Sequence, residues 1–187
     1  FSQNWFWNNN ATAAIYYHGE NAVNIINNFI GHLSTAPSHI LSGIKVEARQ
    51  SDTYTHVNIL HNSIAYLDHG ISLGSYLEVE LKNNIIAYNR VDAVDIFGSL
   101  VDFNPDTNMI YANPAGDLTG PNLITANPRF KDGTNGNFHL MPDSPAINAG
   151  IPLGYVVDRD DEPRSLDFPD IGADEYVAYS YLPLINR

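Results

Sequence analysis

Val79-Glu80-Leu81-Lys82-Asn83-Asn84-Ile85-Ile86 alternates apolar and polar residues, reaches a pair of asparagines and resumes with two isoleucines. Near copies are Val23-Asn24-Ile25-Ile26-Asn27-Asn28-Phe29-Ile30 and Val57-Asn58-Ile59-Leu60-His61-Asn62-Ser63-Ile64, with a looser one at Val101-Asp102-Phe103-Asn104. Upstream of each stands a shorter strand-like piece: Ile15-Tyr16-Tyr17, Ile44-Lys45-Val46, Ile71-Ser72-Leu73 and Val94-Asp95-Ile96. The first residues of these pieces fall 29, 27 and 23 residues apart. A period of this size means stacked supersecondary units. The units are too short for paired helices, and each holds two or three β-branched runs. Each therefore reads as one coil of an all-β, parallel β-helix solenoid. Crossovers between parallel strands are overwhelmingly right-handed, so the solenoid is expected to be right-handed.

Alternate side chains of a strand point to opposite faces, and coils stack about 4.8 Å apart. Val23, Val57, Val79 and Val101 are therefore expected in one inward column, and Ile25, Ile59, Leu81 and Phe103 in another. Asn28, Asn62 and Asn84 align at a turn, where asparagine tolerates left-handed backbone angles and its amide can bond the copies above and below. Trp5-Phe6-Trp7-Asn8-Asn9 resembles the end of an earlier coil, with Asn9 in the Asn28 position. The chain thus reads as starting inside a solenoid, with its first coil open to preceding coils or to end-to-end assembly with another chain.

Coils account for residues 1–113, enlarged by insertions at His32 to His39 and Ala48 to His56. Gly/Pro punctuation from Pro114 onward predicts a cap of short strands and loops over residues 114–176, covering the last coil, then a short tail, 177–187. Asn127-Pro128-Arg129-Phe130, Gly136-Asn137-Phe138-His139-Leu140, Ser144-Pro145-Ala146-Ile147-Asn148-Ala149-Gly150 and Asp170-Ile171-Gly172-Ala173-Asp174-Glu175-Tyr176 follow in order. Together they resemble the C-terminal part of bacterial right-handed parallel β-helix surface proteins of the choice-of-anchor group. That resemblance implies a secreted or cell-surface protein, usually without assigned activity. The chain departs from the group at Asp161, where a glycine often makes a tight turn, and at Asp174, an expected exposed position where an aromatic residue is common.

Composition narrows the function. Nine Lys+Arg against 21 Asp+Glu give a net charge of −12, which disfavours nucleic acid and anionic lipid as partners. The same charge argues mildly against a polyanionic substrate unless calcium bridges the two. No run of eighteen apolar residues spans a membrane. Without cysteine there is no disulfide framework, thiolate metal site or cysteine nucleophile. The 22 asparagines and 11 tyrosines suit a secreted solenoid with polar, weakly charged faces.

Candidate chemistry sits on outward columns and in one acidic turn. Tyr16, Lys45, Ser72 and Asp95 form one outward column; Asn24, Asn58, Glu80 and Asp102 form the next. A polysaccharide lyase needs a basic group, for which Lys45 near Asp95, or Lys82 near Arg90, is a candidate. A glycoside hydrolase needs carboxylates converging across about 5–10 Å, which Glu80 and Asp102 would meet as column neighbours. Asp158, Asp160 and Asp161 have a spacing that can chelate calcium. Arg159 and Arg164 could instead pair with those acids and pin the cap, or the turn could simply be solvated. The histidines show no zinc-type sequence spacing. Tyr66 and Tyr88 occupy equivalent places and suit aromatic stacking in the wall or contact with sugar rings. Two readings follow: a non-catalytic extracellular or cell-surface structural or adhesive β-helix whose partners are neighbouring subunits or glycans, and a lyase or hydrolase working on the outer face.

Overall fold

The alternating segments form strands in a computed structural model, which describes residues 1–7, 11–32, 42–49, 53–114 and 118–178. A partial first coil supplies β1 (Trp5–Trp7). The next carries β2 (Ala13–Gly19), β3 (Val23–Ile26) and β4 (Phe29–Gly31). Then come β5 (Ser42–Ala48), β6 (Thr55–Leu60) and β7 (Ser63–Ala65), followed by β8 (His69–Leu73), β9 (Leu77–Lys82) and β10 (Ile85–Ala87). The last full coil has β11 (Asp92–Ile96), β12 (Asp102–Asp106) and β13 (Met109–Tyr111). A hairpin of β14 (Phe130–Asp132) and β15 (Asn137–Leu140) follows. Like strands of successive coils pair in parallel, giving three faces: β2-β5-β8-β11, β3-β6-β9-β12 and β1-β4-β7-β10-β13. This is a parallel β-helix. Asn9, much of the two insertions, Ala115 to Asp117 and residues 179–187 lie outside the described residues.

Stacking repeats the chemistry of each position. Ile15, Ile44, Ile71 and Val94 are in register on the first face; Val23, Val57 and Val79 on the second. With Ile30, Ile64, Ile86 and Ile110 from the third face they fill the inside of the coils. The register breaks at the last coil. Phe103, not Val101, pairs with Val79, and Pro105 pairs with Leu81. The corner before β12 runs one residue longer than the corner before β9, leaving Val101 52% exposed outside the strand. Pro105 has no N–H to offer, which suits β12's place at the edge of its sheet.

The asparagine pairs divide two tasks. The residue in the left-handed region is the one before the expected position: Asn27, His61, Asn83 and Thr107 have φ of 54°, 52°, 54° and 51°. That turn sends Asn28, Asn62, Asn84 and Asn108 inward as a continuous buried ladder. The Asn62 backbone N–H and Nδ2 both donate to Asn84 Oδ1 at 3.0 Å, and Asn84 repeats this toward Asn108 Oδ1 at 2.9 and 3.0 Å. The ladder starts at Asn4, whose N–H and Nδ2 reach Asn28 Oδ1 at 3.1 Å, so Asn4 rather than Asn9 takes this position. Buried backbone groups need such partners wherever strand pairing is interrupted at a corner.

Residues 118–124 close part of the last coil: Leu118 joins the core and Ile124 pairs with Met109. The rest of the C-terminal region lies elsewhere than over the coil end. From Phe130 onward it runs back along the outside of the third face and makes that face a second core. Phe138 packs with ring centroids 5.7 Å from Phe29, 6.0 Å from Trp7 and 4.9 Å from Phe130. Gly31 makes room, because a Cβ there would lie 2.6 Å from Phe138 Cζ and 2.8 Å from Trp7 Cζ3. The outward corner residues stitch this layer on. Asn27 donates to Val157 O at 2.9 Å, Asn83 to Ile151 O at 2.7 Å, and Gln3 to Asp158 O at 3.0 Å.

Candidate functional site

The first face is built from outward residues of β2, β5, β8 and β11. Tyr16, Lys45, Ser72 and Asp95 pair in register in that order, as the sequence predicts. Lys45, Ser72 and Asp95 line a cleft of about 340 Å³ together with Thr12, Ser42, His69 and Phe97. Phe97 is 49% exposed and supplies the ring in the cleft wall, while Tyr16, 50% exposed, stands on the far side of Lys45. Phe97 lies against Gly74, where a side chain would meet its ring. The Lys45 ammonium sits 5.5 Å from the Tyr16 ring centre and 5.2 Å from that of Phe97, and 3.6 Å from Glu47. Tyr16 donates its hydroxyl to Glu47, and this bond raises the phenol pKa.

At the start of the strands the chemistry changes. His69 Nδ1 lies 2.9 Å from Asp92 Oδ1, and Ser42 Oγ lies 2.8 Å from Ser72 Oγ. Burial raises the Asp92 pKa, and the His69 bond offsets part of that rise. No hydrogen bond joins His69 to either serine among the described residues, so this is not an assembled nucleophile–base pair. Ser42, His69 and Asp92 stand two residues before each strand anchor and pair in register. By strand parity they belong inside with Ile44, Ile71 and Val94, which hides their part in the cleft from a reading of the sequence.

On the second face Glu80 and Asp102 are not the column neighbours the sequence predicts. The two-residue register slip pairs Asp102 with Glu78, and Asn104 with Glu80. Asn104 Nδ2 donates to Glu80 at 2.9 Å, and Lys82 pairs with the same carboxylate. Burial alone would raise Glu80, but the bonds from Lys82 and Asn104 outweigh it and bring its pKa below the usual value. His56 lies 2.8 Å from Glu78, and Asn58 donates to Asn24 at 2.8 Å. The face is a ladder of groups satisfying one another. Lys82 and Arg90 do not meet as a basic pair; Arg90 bonds Asp68 at 2.6 Å.

Asp158, Asp160 and Asp161 turn to three different partners. Asp158 is fully buried and accepts N–H bonds from Asp160, Glu162 and Glu175 at 2.8, 2.9 and 2.9 Å. Asp160 bonds Arg159 and His139, while Asp161 accepts from Gln3 Nε2 at 2.7 Å. Asp161 adopts φ of 64° and makes the tight turn without a glycine. Arg164, buried, bonds Glu175 Oε2 at 3.0 Å, Asn27 Oδ1 at 3.0 Å and Gly172 O at 2.8 Å. Arg159 thus pairs with one acid of the turn, Asp160, while Arg164 pairs with Glu175 rather than with Asp158, Asp160 or Asp161. Asp174 is buried rather than exposed, and its Oδ2 accepts the Leu140 N–H at 2.7 Å. Tyr66 and Tyr88 stack with centroids 5.0 Å apart and planes 5° apart, as wall residues would.

A separate cleft of about 270 Å³ lies between Trp5, Phe29, Asn135, Gly136, Asn137, His139 and Arg159. Its walls come from opposite ends of the chain, and no sequence spacing announces it. Among the described residues, no helix is long and apolar enough to cross a membrane. Comparison with models of known protein families and with curated proteins found no match to this chain.

Proposed function

We propose that this protein is a non-catalytic β-helix of the extracellular or cell-surface kind, as the C-terminal motifs resemble, and that its first face binds glycan chains. The observation that carries the reading is the trough lined by Phe97, hydroxyls and Asp95, with the exposed Tyr16 ring beside its Lys45. Aromatic faces suit the C–H side of a pyranose, and Ser42, Ser72, Thr12 and Asp95 offer the hydroxyl partners a sugar needs. Size agrees: small-ligand clefts span about 300–1,000 Å³.

A lyase or hydrolase in the same trough is the competing reading. A lyase would need a basic group free to reach the substrate, whereas Lys45 is held by two rings and Glu47. Calorimetric titration with neutral gluco-, galacto- and manno-oligosaccharides tests the proposal. Saturable binding that weakens more than about tenfold in Phe97→Ala and Tyr16→Ala is expected, each ring contributing about 1–2 kcal/mol. Absence of binding to all of them, or binding indifferent to Phe97→Ala, overturns it. Release of new reducing ends or unsaturated uronides from oligosaccharides would replace it with the enzymatic reading.

A further inference from the structure

Where the C-terminal layer crosses the first coils, one histidine faces two carboxylates. The His139 backbone N–H donates to Asn137 Oδ1 at 3.2 Å, which identifies that atom as the amide oxygen. His139 Nδ1 lies 2.6 Å from the same oxygen and must therefore carry a proton. The other ring nitrogen, Nε2, is 2.8 Å from Asp160 Oδ2 and 3.9 Å from Asp174 Oδ1. A neutral imidazole would thus aim its lone pair at two acceptors. Only a second proton or a cation between them resolves that contact.

Asp174 supplies an independent sign. Its side chain is 4% exposed, and its Oδ2 is occupied by the Leu140 N–H. Its Oδ1 makes no hydrogen bond among the described residues and points toward His139 Nε2. That oxygen opens on a cleft, where it can take a positive partner. The ligand atoms of His139, Asp160 and Asp174 lie within 4.8 Å of one another, and those of Asp158, Glu162 and Asp174 form an adjoining group. Asp158 is already taken by three N–H groups, which leaves Glu162 as the neighbour on that side. A cleft of about 220 Å³, also lined by Lys131 and Tyr176, opens onto the three ligands.

We propose that His139, Asp160 and Asp174 bind a first-row divalent cation of the zinc class, with Asn137 fixing the imidazole tautomer. One imidazole and two carboxylates around an open position match a borderline cation held by three protein ligands. Calcium prefers six to eight oxygens, so the imidazole selects against it. Metal-bound histidines characteristically donate their other N–H to a fixed acceptor, here Asn137. Phe29 holds the ring from the side, edge-on with centroids 5.2 Å apart. Arg159 bonds Asp160 through Oδ1 and leaves Oδ2 for the cation.

The test uses the chelator-treated chain titrated with zinc, cobalt and calcium, followed by calorimetry, melting temperature and the visible absorption of bound cobalt. One zinc per chain, a zinc-dependent rise in melting temperature and a cobalt spectrum typical of low coordination are expected. Asp160→Asn and Asp174→Asn should weaken zinc binding more than about 100-fold, and Asn137→Ala about 10- to 100-fold. His18→Gln, remote in sequence and exposed, should leave it unchanged. Asp174→Asn keeps an acceptor for Leu140, and Asp160→Asn changes a partly exposed group and decides the matter if Asp174→Asn fails to fold. Three results overturn the proposal: no stoichiometric zinc binding, in which case Nε2 carries the second proton; stronger stabilisation by calcium; or zinc binding that survives Asp160→Asn.

Discussion

Removing the Asn84 side chain should be the most damaging polar-to-alanine change in the coils. Its Oδ1 accepts from Asn62 N and Nδ2, both at 3.0 Å. Its Nδ2 faces Ile59 O, Lys82 O and Asn108 Oδ1 at 2.8, 2.9 and 3.0 Å. Each such bond is worth about 1 kcal/mol net, and a buried N–H left without an acceptor costs about 1–3 kcal/mol. Asn62 is fully buried, so Asn84→Ala leaves its backbone N–H in that condition. The expected loss is about 3–5 kcal/mol, a large share of the roughly 5–15 kcal/mol that holds a domain folded. With a urea slope near 2 kcal/mol/M, the unfolding midpoint falls by about 1.5–2.5 M.

Two companion variants separate the ladder from mere amide loss. Asn58→Ala removes a partly exposed amide that, among the described residues, bonds Asn24 alone and should change stability by less than about 0.5 kcal/mol. Asn84→Asp keeps an acceptor for Asn62 but turns a second oxygen toward three other acceptors. Burial without a partner raises that carboxyl's folded pKa above its unfolded value, so the native state takes up a proton the unfolded chain releases. The Asn84→Asp deficit is then largest above the folded pKa and shrinks as pH falls through it. A midpoint shift for Asn84→Ala no larger than that for Asn58→Ala would refute the ladder as a source of stability.

Gly31→Ala should cost about 1–3 kcal/mol through overpacking, because the new methyl meets Phe138, Trp7 and the Ala65 carbonyl, and it should alter Trp7 fluorescence. Phe138→Leu in the same chain should recover part of the loss; no recovery would mean that Gly31 does not set the spacing of the layer. Burial raises Asp170 from 3.8 to about 6, so the folded state binds a proton that the unfolded chain loses between those values. Asp170 therefore contributes stability below about pH 4 that is lost as pH rises through about 6. The urea midpoint should be higher at pH 5 than at pH 7, and Asp170→Asn should flatten that slope; an unchanged slope contradicts the assignment.

The coils are legible because stacking makes each position see its own kind. Val23, Val57 and Val79, and Ile15, Ile44, Ile71 and Val94, declare their register by chemistry alone, and the neighbouring Tyr16, Lys45, Ser72 and Asp95 follow from it. The slip at Val101 has a physical cause: parity says which residues share a face, not how many residues a corner consumes. The same uncertainty about corners misplaces the first rung at Asn9 instead of Asn4, and assigns left-handed angles to the ladder asparagines rather than to the residues before them. Packing of the C-terminal layer is illegible for another reason. Gln3 meets Asp158, Asn27 meets Arg164 and Ser63 meets Ala173 across more than a hundred residues, with no period to align them.

That layer decides where function can reside. By covering the third face it turns Gly31, Ala65 and Ala87 from outward positions into floor, which explains why the middle of this column, between Trp7 and Tyr111, is small. The second face is occupied by its own ladder from Asn24 to Asn104, each long side chain answering the one beside it. Two of the places left open are the first face, where Asp95 and Phe97 line a trough, and the seam, where Asp174 holds an oxygen toward His139. The first suits a ligand lying across stacked coils, since Tyr16, Lys45, Ser72 and Asp95 stand in one row. The second joins β15, the Asp160 turn and the Asp174 segment, so a cation there would fasten three segments of the layer. The proposed recognition and the proposed fastening thus draw on different residues, and each can be tested by substitution without touching the other.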